Sequence, residues 1–397
     1  MSKLGSMNKK FLSIFLTIIG VMFLIILIIA VARACGNKKI SDPKKIESKL
    51  EKAAKNYYGD HEDKLPADGE SVTITDSELT KEGYFKGMSK IAKDTTCVGT
   101  VTVHMNAGQK LASVDLKCKD YQTQHLQDKI IKDNLVDGYI VNDSSDISDE
   151  ASEKPSMGKD YISGLYKTTE GYYVFRGDNP NNNLVLNGEK FKIIDISPEG
   201  IIRMVDISNY STHYRWDTKY NIEAKKNVGI NDYKNSEILE AMKQKYGTYK
   251  ENNKKHLAPF SVCIGKRYKG DENTGEGFQK SLERSIDCAE TLDGQYMGLL
   301  SVSDFARASL DENCTTIGSP ACTNYNYLSK TISETWTATG LSNNTYSVLA
   351  ISAGNIDDSS YAKDSRAYYW ANAVYGDEPY IGGSGTESDP YVVDSKG

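Results

Sequence analysis

Acid–base or metal chemistry would be sought first at the five histidines, His61, His104, His125, His213 and His256. They are scattered along the chain, and no CxxC pair accompanies them, so no metal-ligand spacing emerges. No GxSxG elbow, HExxH helix, phosphate-binding Walker loop or dinucleotide fingerprint is present either. His104 falls on the polar face of an expected hairpin, where a solvated side chain is the ordinary role. Asp271, Glu272, Asn273 and Glu276, set among glycines, offer oxygen ligands to calcium, but without the regularity of an EF-hand loop. They read as a solvated acidic loop, as do Asp377, Glu378, Glu387, Asp389 and Asp394 near the end of the chain. The sequence is therefore read as non-catalytic and without a cofactor. A net charge of -6 and the lack of a basic stripe argue against nucleic acid as a partner.

Aromatic residues are the compositional excess, with 26 tyrosines, many in polar surroundings. A tyrosine offers a large contact area with a wet hydroxyl, suited to sugar rings or protein partners. Tyr325, Tyr327, Trp336, Tyr368, Tyr369 and Trp370 are the candidate ligand-binding aromatics on this ground. Core filling in a loop-rich domain is the competing reading.

Apart from Cys35, the cysteines form three locally spaced couples: Cys97 with Cys118, Cys263 with Cys288, and Cys314 with Cys322. Spacing alone does not fix connectivity. For the first couple there is a geometric reason. Val98–Met105 and Leu111–Cys118 alternate as two strands, and a register that faces 105 with 110 also faces Cys97 with Cys118. The same register gathers Val101, Val103, Ala112, Val114 and Leu116. Structural disulfides are expected, and they imply an oxidising, extracellular compartment.

These features need elements to carry them. Asp42-Pro43 opens a helix whose Ile46, Leu50, Ala53, Ala54 and Tyr57 form one stripe. Thr75 and Glu78 have capping-box spacing. Asn187-Gly188 between apolar runs is a hairpin signal, and the runs from Tyr172 to Val205 suggest an antiparallel meander. Phe11–Ala32 is uncharged and apolar, and its 22 residues span roughly 33 Å as a helix, enough for a bilayer core of about 30 Å. It is expected to be a retained anchor. Cleavage after Ala34 and lipidation at Cys35 stay open, because Ala32-Arg33-Ala34 has small-x-small form. Flanking lysines are balanced, so the cysteines place the body outside. The expected fold class is α+β: residues 1–10 cytoplasmic, 11–32 a transmembrane helix, 36–141 a small helix-plus-hairpin domain, 142–158 a linker, and 159–394 a larger, mainly antiparallel, loop-rich domain.

The proximal part, with its apolar helix, amphipathic continuation, ITDSELTKEGYF at 74–85 and disulfide-closed hairpin, resembles a Gram-positive pilin or pseudopilin. The distal part resembles C-terminal modules of Firmicutes surface proteins through YYVFRGDNPNNNLVLNGEKFKIIDI at 172–196, YMGLLSVSDFARAS at 296–309, CTTIGSPACTNYNYL at 314–328 and GSGTESDPYVV at 383–393. That resemblance implies a C-type-lectin-like arrangement and brings no catalytic residues. Together these readings give a single-pass cell-membrane protein. It would be anchored in the lipid bilayer through residues 11–32, with its C-terminal domain extracellular, for adhesion or recognition of a surface protein or glycan. A minor pilin-like assembly subunit and a divergent surface enzyme are the alternatives.

Overall fold

In the computed structural model, which describes residues 39–106, 108–141, 162–208, 211–264, 290–311, 313–314, 317–341 and 344–393, Asp42 caps the helix Pro43–Asp60. Its carboxylate accepts from Lys44 N at 3.1 Å, and Pro43 fills a first-turn position that needs no N–H. Ile46, Leu50, Ala53, Ala54, Tyr57 and Tyr58 form the buried stripe. Burying each large aliphatic side chain contributes about 2 kcal/mol. The helix packs on a three-stranded sheet in the order Ser71–Thr75, Val98–Asn106, Gln109–Lys117. The approach is closest at Gly99, where a Cβ would lie 2.5 Å from Leu50 Cδ1. Thr75 and Glu78 form the reciprocal cap of the short helix Asp76–Lys81. Tyr121 donates to Glu47 at 2.8 Å, Thr123 donates to the same carboxylate, and a disulfide joins Cys97 to Cys118.

Most of these residues belong to the first of two compact units, which among the described residues comprises 39–65, Val72–Val103 and Val114–Thr123; the second takes Pro66–Ser71, His104–Ser113 with the outer ends of the two hairpin strands, and the described residues from Gln124 on. The second unit is built on a nine-stranded mixed sheet. Its main path runs Gly298–Leu299, Trp370–Tyr375, Ile201–Asp206, Glu189–Ile196, Tyr173–Arg176, Gly164–Thr168, Leu135–Val141. Leu135–Val141 lies parallel to Gly164–Thr168. The expected meander is corrected at one point. Glu189–Ile196 pairs with Tyr173–Arg176 at its C-terminal end and with Asn183–Leu186 at its N-terminal end. Asn183–Leu186 then takes Tyr391–Val393 alongside in parallel. Asn187 and Gly188, both at positive φ (49° and 86°), make the tight turn that closes this hairpin.

A separate three-stranded antiparallel sheet, Thr335–Gly340, Ser347–Ser352 and Asn355–Tyr361, and the helices Glu237–Gly247, Val302–Ala308 and Tyr327–Thr331 complete the second unit's main elements. All three tryptophans of the chain, Trp216, Trp336 and Trp370, are fully buried in its core.

Among the described residues no helix is long and apolar enough to cross a membrane. Pro43–Asp60 reaches 18 residues, but it is amphipathic, with lysines and glutamates on the face opposite its stripe. The expected span 11–32, the segment 1–10 before it and the linker 142–158 lie outside the described residues. The fold class is corrected to α+β with mixed sheets and several helices, without a transmembrane helix among the described residues. The membrane-anchored adhesion function, the bilayer partner and the single-pass cell-membrane location, extracellular domain included, are withdrawn with it.

Cys97–Cys118 closes a loop across a sequence separation of 21. Chain entropy assigns such a loop about 3 kcal/mol. Replacing both cysteines with serine is expected to lower hydrogen-exchange protection in 50–57 and 98–103 by about a hundredfold. Unchanged protection would show that packing alone holds the sheet.

Candidate functional site: a charged cleft in the second unit

Register places two tight turns side by side. Tyr173 pairs with Ile196 and Val174 with Asp195, so the turn through Glu170-Gly171 adjoins the turn Ser197–Gly200. Gly171, at φ 88°, approaches the Pro198 ring so closely that a Cβ there would sit 3.6 Å from it. Ser197 N donates to Ile201 O at 2.9 Å and Gly200 N to Ser197 O at 2.9 Å, which fixes the second turn. The exposed carboxylates Glu170 and Glu199 thereby stand at one rim of a cleft of about 570 Å³. Tyr172, Ser197 and Ile201 continue that wall. Phe260, Ser261 and Cys263 of the strand Phe260–Cys263, Thr291 of its partner Thr291–Gln295, and Pro259 just before the pair add to the lining.

At the base of the cleft is a buried charge network. Asp195 and Arg203 are direct partners across adjacent strands. Arg203 Nε donates to Asp195 Oδ1 at 3.2 Å, and Arg203 Nη2 donates to Asp195 Oδ2 and, at 2.6 Å, to Asp304 Oδ1. Arg307 Nη2 donates to the same Asp304 oxygen at 2.6 Å. Asp304 also accepts from Ser301 N at 2.8 Å and Ser301 Oγ at 3.0 Å, closing a capping box on the helix Val302–Ala308. Burial opposes ionisation of Asp304, yet Arg203, Arg307 and the Ser301 amide hold its carboxyl below the usual range. Burial likewise opposes the Arg203 charge, and Asp195 with Asp304 more than restores it. Paired charges satisfied this way are tolerated in an interior; single ones are not.

The histidines supply a second cluster. His104, His125 and His256 converge on Asp377-Glu378. His104 Nε2 lies 2.9 Å from Asp377 Oδ2, with its ring stacked on Tyr375 at 3.8 Å. His125 Nδ1 lies 2.6 Å from Asp377 O, and His256 Nδ1 lies 2.8 Å from Glu378 Oε2. The expectation of a solvated His104 is corrected, since it is only 6% exposed, and so is that of a solvated Glu378, at 4%. Ser113, near His104 in the hairpin, donates to Asp377 O and is not placed as a nucleophile. His61 packs against Tyr57 and Tyr84 in the first unit, while His213 lies in the strand Ser211–Arg215.

The candidate aromatics are corrected in the same way. Tyr327, Trp336, Tyr368 and Trp370 are buried, and only Tyr325 and Tyr369 are half-exposed. Tyr327 donates to Ile193 O at 3.2 Å and Trp336 Nε1 to Tyr214 O at 2.9 Å, so their polar atoms serve the core. The calcium candidates Asp271, Glu272, Asn273 and Glu276 lie outside the described residues, as does Cys288. Cys263 is disulfide-bonded, and Cys314 is joined to Cys322. Asp94 approaches Cys97 and Cys118, but those sulfurs are bonded to each other and the carboxylate accepts from the Thr96 and Lys119 amides. A smaller cavity of about 420 Å³ is lined in part by Asp217 and Asn221, whose polar atoms are engaged by backbone groups.

No protein-family model, curated protein or solved structure matches the chain. The pilin-like and lectin-like resemblances are corrected accordingly, for neither the comparisons nor the fold carries them.

The Glu378 carboxyl is raised above its ordinary range by burial, an effect that His256 and His104 oppose and Asp377 reinforces. A carboxyl raised by folding contributes stability below its unfolded pKa of about 4.3 and loses it as pH rises through the folded value. Glu378→Gln is therefore expected to raise the melting temperature at about pH 7–8 and to change it little near about pH 4. A loss at neutral pH would mean that the pair with His256 stabilises the fold on balance.

Proposed function

We propose that the second unit is a non-catalytic binding domain and that the cleft above Asp195 and Arg203 holds a small polar ligand. The observation that carries this reading is the combination of a preformed cavity with a rigid, internally neutralised base. Ligand sites of this size, some 300–1,000 Å³, are concave, largely preformed and furnished with a few fixed polar groups. About 570 Å³, two hydrogen-bonded turns and a guanidinium held by two carboxylates meet that description.

The lining also bears on catalysis. Its cysteine, Cys263, is oxidised. Ser261 and Thr291 are hydrogen-bonded to Asp293, whose carboxyl they hold below the usual range. Nucleophilic catalysis needs a hydroxyl or thiol paired with a base. The three converging histidines contact Asp377-Glu378, two of them buried and His125 half-buried, and none lines the cleft.

Thr291 is exposed on the rim, so Thr291→Trp should fill the opening without disturbing the core. Small charged and neutral organic compounds that raise the melting temperature of the full chain are expected to bind Thr291→Trp at least tenfold more weakly. Compounds that bind the variant equally well, or a set in which none binds, would contradict the proposal.

A further inference from the structure

We infer that the cleft selects an organic cation: an ammonium carried on a small apolar body. The inference rests on the reading of the cleft as a binding site and adds the class of ligand.

It follows from which charges are already engaged. At the base, Arg203 and Arg307 bind Asp195 and Asp304, so two positive and two negative groups neutralise one another. The Arg203 donors that an anionic ligand would need are directed at those carboxylates. At the rim the balance is different. Glu170 and Glu199 are both exposed, and neither makes an ion pair among the described residues. The Glu170 carboxyl, although burial pushes it up, is held below its ordinary range by hydrogen bonds from Thr169, its own amide and Thr168, so it stays charged. Tyr172, in the same lining, has acidic neighbours as well. The Tyr172 phenol is pushed up first by burial and then by Asp195 and Glu199, which outweigh Arg203 and Arg307.

One aromatic ring, that of Tyr172, supplies the remaining recognition. Tyr172 is half-buried and lines the cleft together with Glu170 and Glu199, whereas Phe260, also in the lining, is a buried core side chain. Aromatic faces beside carboxylates are a chemistry that favours ammonium groups, because the ring quadrupole and the carboxylate both attract the cation while the ring accepts its apolar substituents. A neutral polyol would use the carboxylates as acceptors but would draw nothing from their charge. Inorganic phosphate would be repelled by the rim and would find the Arg203 donors already directed at Asp195 and Asp304.

The test uses the full chain and isothermal titration with three probes: benzyltrimethylammonium, benzyl alcohol as a neutral aromatic, and inorganic phosphate. The ammonium is expected to bind, benzyl alcohol to bind at least tenfold more weakly, and phosphate not to bind. Glu170→Gln and Glu199→Gln, both at exposed positions, should each weaken ammonium binding about threefold or more, and the double variant about tenfold. Raising the salt should reduce the effect of both, since rim charges are screened. Thr291→Trp separates the two levels of the reading. If benzyl alcohol or phosphate binds as well as the ammonium and loses affinity in Thr291→Trp, the cleft is a site and the cation assignment is wrong. If no probe binds, or binding ignores Thr291→Trp, the binding-site reading fails and the inference fails with it. Glutamine variants that bind ammonium at full strength overturn the assignment directly.

Discussion

The guanidinium of Arg203 is the contact on which the second unit turns. It joins the strands Glu189–Ile196 and Ile201–Asp206 at their 195–203 pair and reaches the helix Val302–Ala308 through Asp304. Strand, strand and helix are thus tied by one planar fork whose geometry suits two carboxylates at once. Such a network is a demanding device. Desolvating four charged groups costs several kcal/mol per ion, and only near-complete hydrogen bonding offsets it. Asp304 is served by both arginines and by Ser301, so the helix cap and the ion network share one side chain.

The position of this network also sets the character of the cleft. Charges that neutralise each other at the base leave the polarity of the opening to the residues of the two adjoining turns. Glycine permits those turns: Gly171 at φ 88° and Gly200 at φ 80° take backbone conformations that an L side chain rarely adopts. The turns in turn deliver Glu170 and Glu199. A rigid interior and a chemically distinctive rim therefore arise from the same strand register.

How much of this the sequence disclosed depended on range. The helix Pro43–Asp60 was legible because cap, proline and stripe are all local. The hairpin at Asn187-Gly188 was legible because that dipeptide is among the few that accept positive φ at both positions. Helix Leu126–Asn134 was missed, since its buried apolar pair Leu126 and Ile130 sits among charged residues and gives little periodicity. The cleft was illegible for a different reason. Arg203 and Asp304 are 101 residues apart, and nothing local marks either as buried. The histidines behave alike: His104 and Asp377 meet across 273 residues. The aromatics misled because polar neighbours in sequence were taken for polar surroundings in space. Irregular chain packs around Tyr327 and Trp336, whose polar atoms find backbone acceptors in the interior. Hydrophobicity read along the chain likewise pointed to a membrane anchor, whereas the described helices bury amphipathic stripes in their own units.

The claim beneath all of this is that Arg203 and its carboxylates act as one unit, and a double-mutant cycle between Arg203→Met and Asp195→Asn tests it most directly. Unfolding by urea should show each single variant losing about 3–5 kcal/mol, because each leaves a buried charge short of its partner. The double variant should lose less than their sum by about 2 kcal/mol or more. Strict additivity, or single variants within about 0.5 kcal/mol of the parent, would contradict the account by showing that strand, turn and helix hold their places without the ion network.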